Sequence, residues 1–160
     1  MNSLHLIAEA GGLFSVFVFV HFFVDWIFHT HSEAMVKHNN ALVRAKHCFI
    51  YTIGFVPLIF FLNFEMWEWI LSLNILFWSH FYLDTYHGVY LWAKYIRKPP
   101  EMTSPYKITN SDGYITVLPP DPKRGFVEFI STTLGKILMI VIDQISHLVF
   151  IVPIIWMAFN

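Results

Sequence analysis

Polar positions divide this chain into four long apolar runs. They cover about residues 4–28, 47–64, 67–94 and 134–159, each near the 20 or so residues that a helix needs to cross a bilayer. The first run contains Glu9 but no basic residue, and it lacks both the basic leader and the small-residue cleavage site of a signal peptide, so it reads as a retained span. A polar connector from Thr30 to Lys46 follows, holding His31, Glu33, Lys37, His38, Arg44 and Lys46. Gly54 and Pro57 predict a kink in the second run. Asn63, Glu65 and Glu68 mark a short acidic turn before the third. From Lys98 the prolines at 99, 100, 105, 119, 120 and 122 exclude a membrane helix. Within that insertion, about 98–125, Tyr106-Lys-Ile-Thr-Asn and Tyr114-Ile-Thr-Val-Leu flank Ser111-Asp112-Gly113 and predict a small β-hairpin. Val127 to Thr133 is expected to lie along the interface, and Pro153 to bend the last span.

Composition agrees with the pattern. With 56% hydrophobic and 13% charged residues, the chain is too apolar for a soluble domain, where about 25% are charged. The expected fold is an all-α, polytopic membrane four-helix bundle, a single integral domain over 1–160 with the insertion between helices 3 and 4. A net charge of −1 excludes a nucleic-acid partner, which needs a clustered basic surface. Lys and Arg concentrate in the connectors after runs one and three, which places both connectors in the cytoplasm and both termini outside. Trp26, Trp67, Trp69, Trp92 and Trp156, near span ends, are expected as interfacial anchors, and Lys37 and Lys46 as headgroup contacts.

Inside the apolar runs an acid and an imidazole recur four residues apart: His21 with Asp25, His80 with Asp84 and, in reversed order, Asp143 with His147. Residues i and i+4 share a helix face, and an antiparallel helix must reverse the order to present the same groups at the same heights. An ionised Asp at the bilayer centre costs roughly 2.5–3.5 kcal/mol, so three unpaired ones would cost roughly 8–10 kcal/mol. A bound divalent ion offsets this, since structural zinc sites reach roughly 10–16 kcal/mol. His21, Asp25, His80, Asp84, Asp143 and His147 are therefore the candidate metal ligands, for one or two ions. With the single Cys48 offering no thiolate motif, zinc is the first choice and iron or manganese the alternatives. His47 and Tyr51, again four apart, are candidate proton donors to a leaving group, and Asp84, Asp25 or Asp143 a general base. His5, His31 and His38, near an end or in the connector, read as ordinary polar positions; His29 and His87 are intermediate.

The strings His21-x-x-x-Asp25-Trp26, His47-x-x-x-Tyr51, His80-x-x-x-Asp84 and Asp143-Gln144-x-x-His147 together resemble the small bacterial and phage membrane proteins grouped as domain of unknown function 3307. Two departures are His29, where Gln is expected, and the length of the insertion. The resemblance implies a multi-pass protein of the bacterial inner membrane, in some cases phage-encoded. The leading expectation is a metal-dependent hydrolase acting on a lipid or lipid-linked substrate, with a phosphoester favoured by the nearby Lys37, Arg44 and Lys46. A proton or metal-ion transporter, plausible only as a homo-oligomer in so small a chain, and a noncatalytic membrane factor with a structural metal are the other two classes.

Overall fold

The computed structural model describes residues 3–28, 30–85, 87–97, 106–109, 113, 115–118 and 129–159. His29 and most of the insertion, with the prolines that define it, lie outside the described residues, as does the start of the expected interfacial segment. The chain divides into two compact units, residues 1–88 with 143–160 and residues 89–142.

The first unit is helical. Helix α1 runs Ser3–Ile27, followed by the short α2, His31–Val36. A capping box starts α2: the Glu33 amide donates to Thr30 Oγ1, and Glu33 Oε2 accepts from the Thr30 amide. Helix α3 runs Ala41–Phe60. It begins six residues earlier than the apolar run because Asn40 caps it, Oδ1 accepting from the amides of Leu42 and Val43. His47 consequently sits nearly two turns inside the helix rather than at its mouth. Pro57 does not end α3, and Gly54 serves a close approach instead: a Cβ there would stand 2.5 Å from Val24 Cγ2 of α1. Asn63, at φ 50°, turns the chain into α4, Met66–Leu83.

The third apolar run is not one helix. Helix α4 stops at Asp84, whose amide closes on the His80 carbonyl, and α5 takes up His87–Trp92 before a π-helical turn, Ala93–Arg97. In the second unit, strands β1 (Tyr106–Thr109) and β2 (Ile115–Leu118) pair antiparallel with Tyr106 opposite Leu118. Helix α6 runs Thr133–Val149, its last turns from Asp143 returning to the first unit, and after a break at Phe150 and Ile151 the short α7, Val152–Met157, carries Pro153 in its first turn. Three helical stretches are long and apolar enough to cross a membrane: Leu4–Ile27, Ala41–Phe60 and Thr133–Met157. The polar content of α4, with Glu68, Ser72, Asn74, Ser79 and His80, keeps it out of that group.

One stripe of each helix faces the centre of the first unit, and its residues fall into layers one helical turn apart. Phe17, Phe55, Leu76 and Ile151 are fully or almost fully buried and form an apolar layer within the main core cluster, with Phe17 and Phe55 stacked at 5.6 Å. Four residues further along each stripe stand His21, Tyr51, His80 and His147. Four further still stand Asp25, His47, Asp84 and Asp143.

Candidate metal centre

The middle layer is a closed circuit of rings. His21 packs on Tyr51 (centroids 5.6 Å apart), Tyr51 stacks on His80 (3.9 Å), His80 meets His147 (4.3 Å), and His147 returns to His21 (5.6 Å). The circuit exists because α3 and α6 present their residues in the opposite chain order to α1 and α4, so equal heights align.

Its hydrogen bonds fix which nitrogens carry protons. The Gln144 amide nitrogen donates to Asp25 Oδ2 at 3.3 Å and approaches Asp143 Oδ2 at 3.4 Å; a carboxylate can only accept, so Gln144 Oε1 is the end turned toward His21. His21 Nε2–H therefore donates to Gln144 Oε1 at 2.9 Å, which leaves Nδ1 as an acceptor for the Tyr51 hydroxyl, also at 2.9 Å. Both nitrogens of His21 are used. The expected metal ligand is instead an organiser of Asp25 through Gln144, and Tyr51, expected as a proton donor to substrate, gives its proton to His21.

Between this layer and the next, four atoms converge. His47 Nε2 lies 2.8 Å from His80 Nε2 and 3.0 Å from Asp25 Oδ1. His80 Nε2 lies 3.4 Å from Asp25 Oδ1, and Asp84 Oδ2 lies 3.5 Å from both ring nitrogens. A tetrahedral ion with ligands at about 2.0–2.1 Å separates them by about 3.3 Å, within the 2.8–3.5 Å spanned by these atoms. All four residues are buried. A ring nitrogen offers one hydrogen or one lone pair, so His47 Nε2 cannot satisfy Asp25, His80 and Asp84 together; a cation can. Two trios, Asp25–His47–His80 and His80–Asp84–His147, each bring one ligand atom per residue within 4.8 Å of one another and can hold a metal ion. His47, assigned above to proton donation, thus joins the residues that could hold an ion.

Asp84 is tied down by the connector. Lys37 Nζ sits 2.7 Å from Asp84 Oδ1, leaving Oδ2 to face the nitrogens, and His38 Nδ1–H donates to the Asp84 carbonyl at 2.7 Å. Burial holds the His38 pKa below the ordinary imidazole value, and the neighbouring Lys37 adds to the effect, so the ring acts as a neutral donor. Arg44 Nη1 reaches the carbonyls of Lys37 and His38, both at 3.0 Å, with its guanidinium 4.5 Å above the Phe81 ring. Lys46 pairs with Glu33 at 2.6 Å. The connector cations, expected at headgroups or substrate, are thus engaged within the protein. Lys37, His38 and Gln144 carry no ligand spacing of their own; the signals are the position of Lys37 and His38 between two helices that carry candidate ligands, and Gln144 within the Asp143-Gln144-x-x-His147 string.

Asp143 stands beside this group, with Oδ2 toward Gln144, and is in neither trio. His87 is exposed, three residues after Asp84 in sequence and outside both trios. No family model, curated protein or solved structure compared with the chain matches it.

Proposed function

We propose that this chain is a membrane-embedded, metal-dependent hydrolase of the domain of unknown function 3307 type, cutting a phosphoester in a lipid or lipid-linked substrate at the cytoplasmic leaflet of a bacterial inner membrane. In this reading α4 is the fourth crossing and both termini face outward. The observation that carries it is the convergence of Asp25 Oδ1, His47 Nε2 and His80 Nε2 beside Asp84 Oδ2, all buried, from three helices.

Three protein ligands leave one position of a tetrahedral zinc open, as catalytic sites require. Zinc held by Asp25, His47 and His80 would lower the pKa of a bound water toward about 7. Asp84 Oδ2, 3.5 Å from both ring nitrogens, would orient such a water and take up its proton, while Lys37 balances the charge on Oδ1. Because Lys37, Arg44 and Lys46 are engaged elsewhere, attraction for an anionic phosphoester rests on the ion itself. A second reading has its own support: Asp84 Oδ2 is near enough to both nitrogens to become a fourth ligand, and a closed tetrahedron is a structural site that ties helices together.

The two separate in one experiment on detergent-purified protein. The hydrolase reading expects bound zinc and phosphate release from micellar lipid phosphoesters that stops on chelation and returns with zinc. Stoichiometric zinc with no turnover of phosphoester or carboxylic ester lipids leaves the structural site and removes the enzyme.

A further inference from the structure

The connector cations are not equally matched. Lys37 has Asp84 as its counter-charge and Lys46 has Glu33, but Arg44, only 9% exposed, has no carboxylate partner among the described residues. Both of its hydrogen bonds are made by Nη1, to the carbonyls of Lys37 and His38, and a carbonyl is a dipole that leaves the positive charge unbalanced. Arginine this deep in a protein is almost always paired, because a buried charge without a partner is strongly destabilising.

The surroundings of the guanidinium leave one direction for the missing anion. One face lies 4.5 Å above the Phe81 ring, and the Nη1 end is closed by the two carbonyls. What remains is the edge formed by Nε and Nη2. Nε is buried without a hydrogen-bond partner, and Nη2 donates to no described residue. Along that edge two N–H bonds run parallel, the fork that fits two oxygens of one phosphoryl or carboxylate group. The carbonyls and the ring fix the plane of the fork, so it is ordered before a ligand arrives.

We propose that the Nε/Nη2 edge of Arg44 binds a phosphoryl oxyanion, at a position separate from the metal centre. Arg44 lies on α3 three residues before His47 and belongs to neither trio, so the scissile group stays with the ion and this position takes another phosphate. In the topology proposed above the connector meets the cytoplasmic leaflet, where phospholipid headgroups are the abundant anions. Inorganic phosphate presents the same oxygens. The inference does not depend on a bound metal.

Isothermal titration of detergent-purified full-length protein tests it, with four probes: dioctanoyl phosphatidylglycerol, inorganic phosphate, acetate, and dioctanoylglycerol, which has the tails without the phosphate. The phospholipid is expected to saturate at one per chain, and dioctanoylglycerol and acetate are expected not to saturate. Arg44→Lys keeps the charge but loses the fork, and should weaken the phospholipid by about tenfold or more. His47→Ala removes a proposed ion ligand and should leave that affinity within about twofold. Inorganic phosphate that binds with the same dependence on Arg44 supports a free anion as the source; phospholipid binding alone supports a headgroup. Equal affinity in wild type and Arg44→Lys overturns the site, as does absence of binding by both phosphate compounds. Loss in His47→Ala with retention in Arg44→Lys overturns it too, by moving the phosphate to the ion. Acetate as tight as phosphate overturns the phosphoryl assignment. Should Arg44→Lys fail to fold, the nuclear magnetic resonance signal of the Arg44 Nε–H in the wild type decides: it should shift with the phospholipid and not with dioctanoylglycerol, and a signal that stays in place overturns the proposal.

Discussion

Two layers of the first unit, eight residues apart along the same four stripes, hold opposite chemistry. Phe17, Phe55, Leu76 and Ile151 fill one with carbon; Asp25, His47, Asp84 and Asp143 fill the other with acids and an imidazole. The helices and their heights are the same, so backbone packing requires neither set over the other. The apolar layer is sufficient for helix association by close packing. The acidic layer is expensive in a membrane and holds together only through what it binds, which here means Lys37 on one side and, as proposed, a cation on the other.

If that contrast is right, substitutions in the two layers break different things. His47→Ala removes a nitrogen shared by the closest pair of contacts in the acidic layer. Loss of a residue that merely orients a ligand costs about 10–100-fold in metal affinity, so loss of a proposed ligand should exceed 100-fold and abolish turnover. Isothermal titration with zinc and an assay of phosphate release measure the two effects. An affinity unchanged by this substitution would dissolve the distinction between the layers.

Phe55→Ala probes the other layer. The ring is fully buried and stacked on Phe17, and such a deletion costs about 3–5 kcal/mol of stability. Detergent unfolding should register that cost while zinc affinity stays within threefold of the wild type. A parallel fall in both would mean that the centre and the core are one cooperative object.

How far the sequence disclosed this arrangement follows from the same contrast. Spacing alone places His21 with Asp25, His80 with Asp84 and Asp143 with His147, since the i, i+4 rule is a property of the helix. It does not reveal which of two neighbours on a stripe binds a cation and which binds its neighbour: His21 and His147 have the same spacing to an acid, yet His21 spends both nitrogens on Tyr51 and Gln144. Those bonds join residues more than 100 positions apart in the case of Gln144 and 30 in the case of Tyr51, and no local pattern encodes them. Helix ends depart from the apolar runs where polar residues cap them: Asn40 starts α3 ahead of its run, and Asp84 ends α4 inside its own. Lys37 looked like a surface residue because its charge was read without its partner.

Between the extremes lies the ring layer, and Tyr51→Phe sharpens its place. The substitution keeps the stack on His80 but takes away the donor to His21 Nδ1. An unsatisfied buried nitrogen costs about 1–3 kcal/mol. Since His21 acts on Asp25 only through Gln144, zinc affinity should fall by about tenfold, at the lower edge for an orienting residue. A loss as large as that of His47→Ala would promote Tyr51 to the ligands' own layer.

The smallest effect is expected where polar groups are in water. Glu33 pairs with Lys46 and caps α2, and these contacts, the Lys46 ammonium first and Thr30 next, hold its pKa down to about 2 from an ordinary 4.5. A carboxylate whose pKa is lower in the folded state gives its full stabilisation above pH 4.5, and loses it as the pH falls from there to about 2. Glu33→Gln should therefore lower the melting temperature slightly at pH 7, with a gap from wild type that closes across that acid range. Because the pair is exposed, 1 M salt should shrink the gap as well. The buried Lys37–Asp84 pair, 13% and 2% exposed, has no such access to counterions, and the effect of Lys37→Met on stability should survive the same salt. Equal salt sensitivity in the two variants would place Asp84 in contact with solvent, and an acid so hydrated would need no cation to hold it in place.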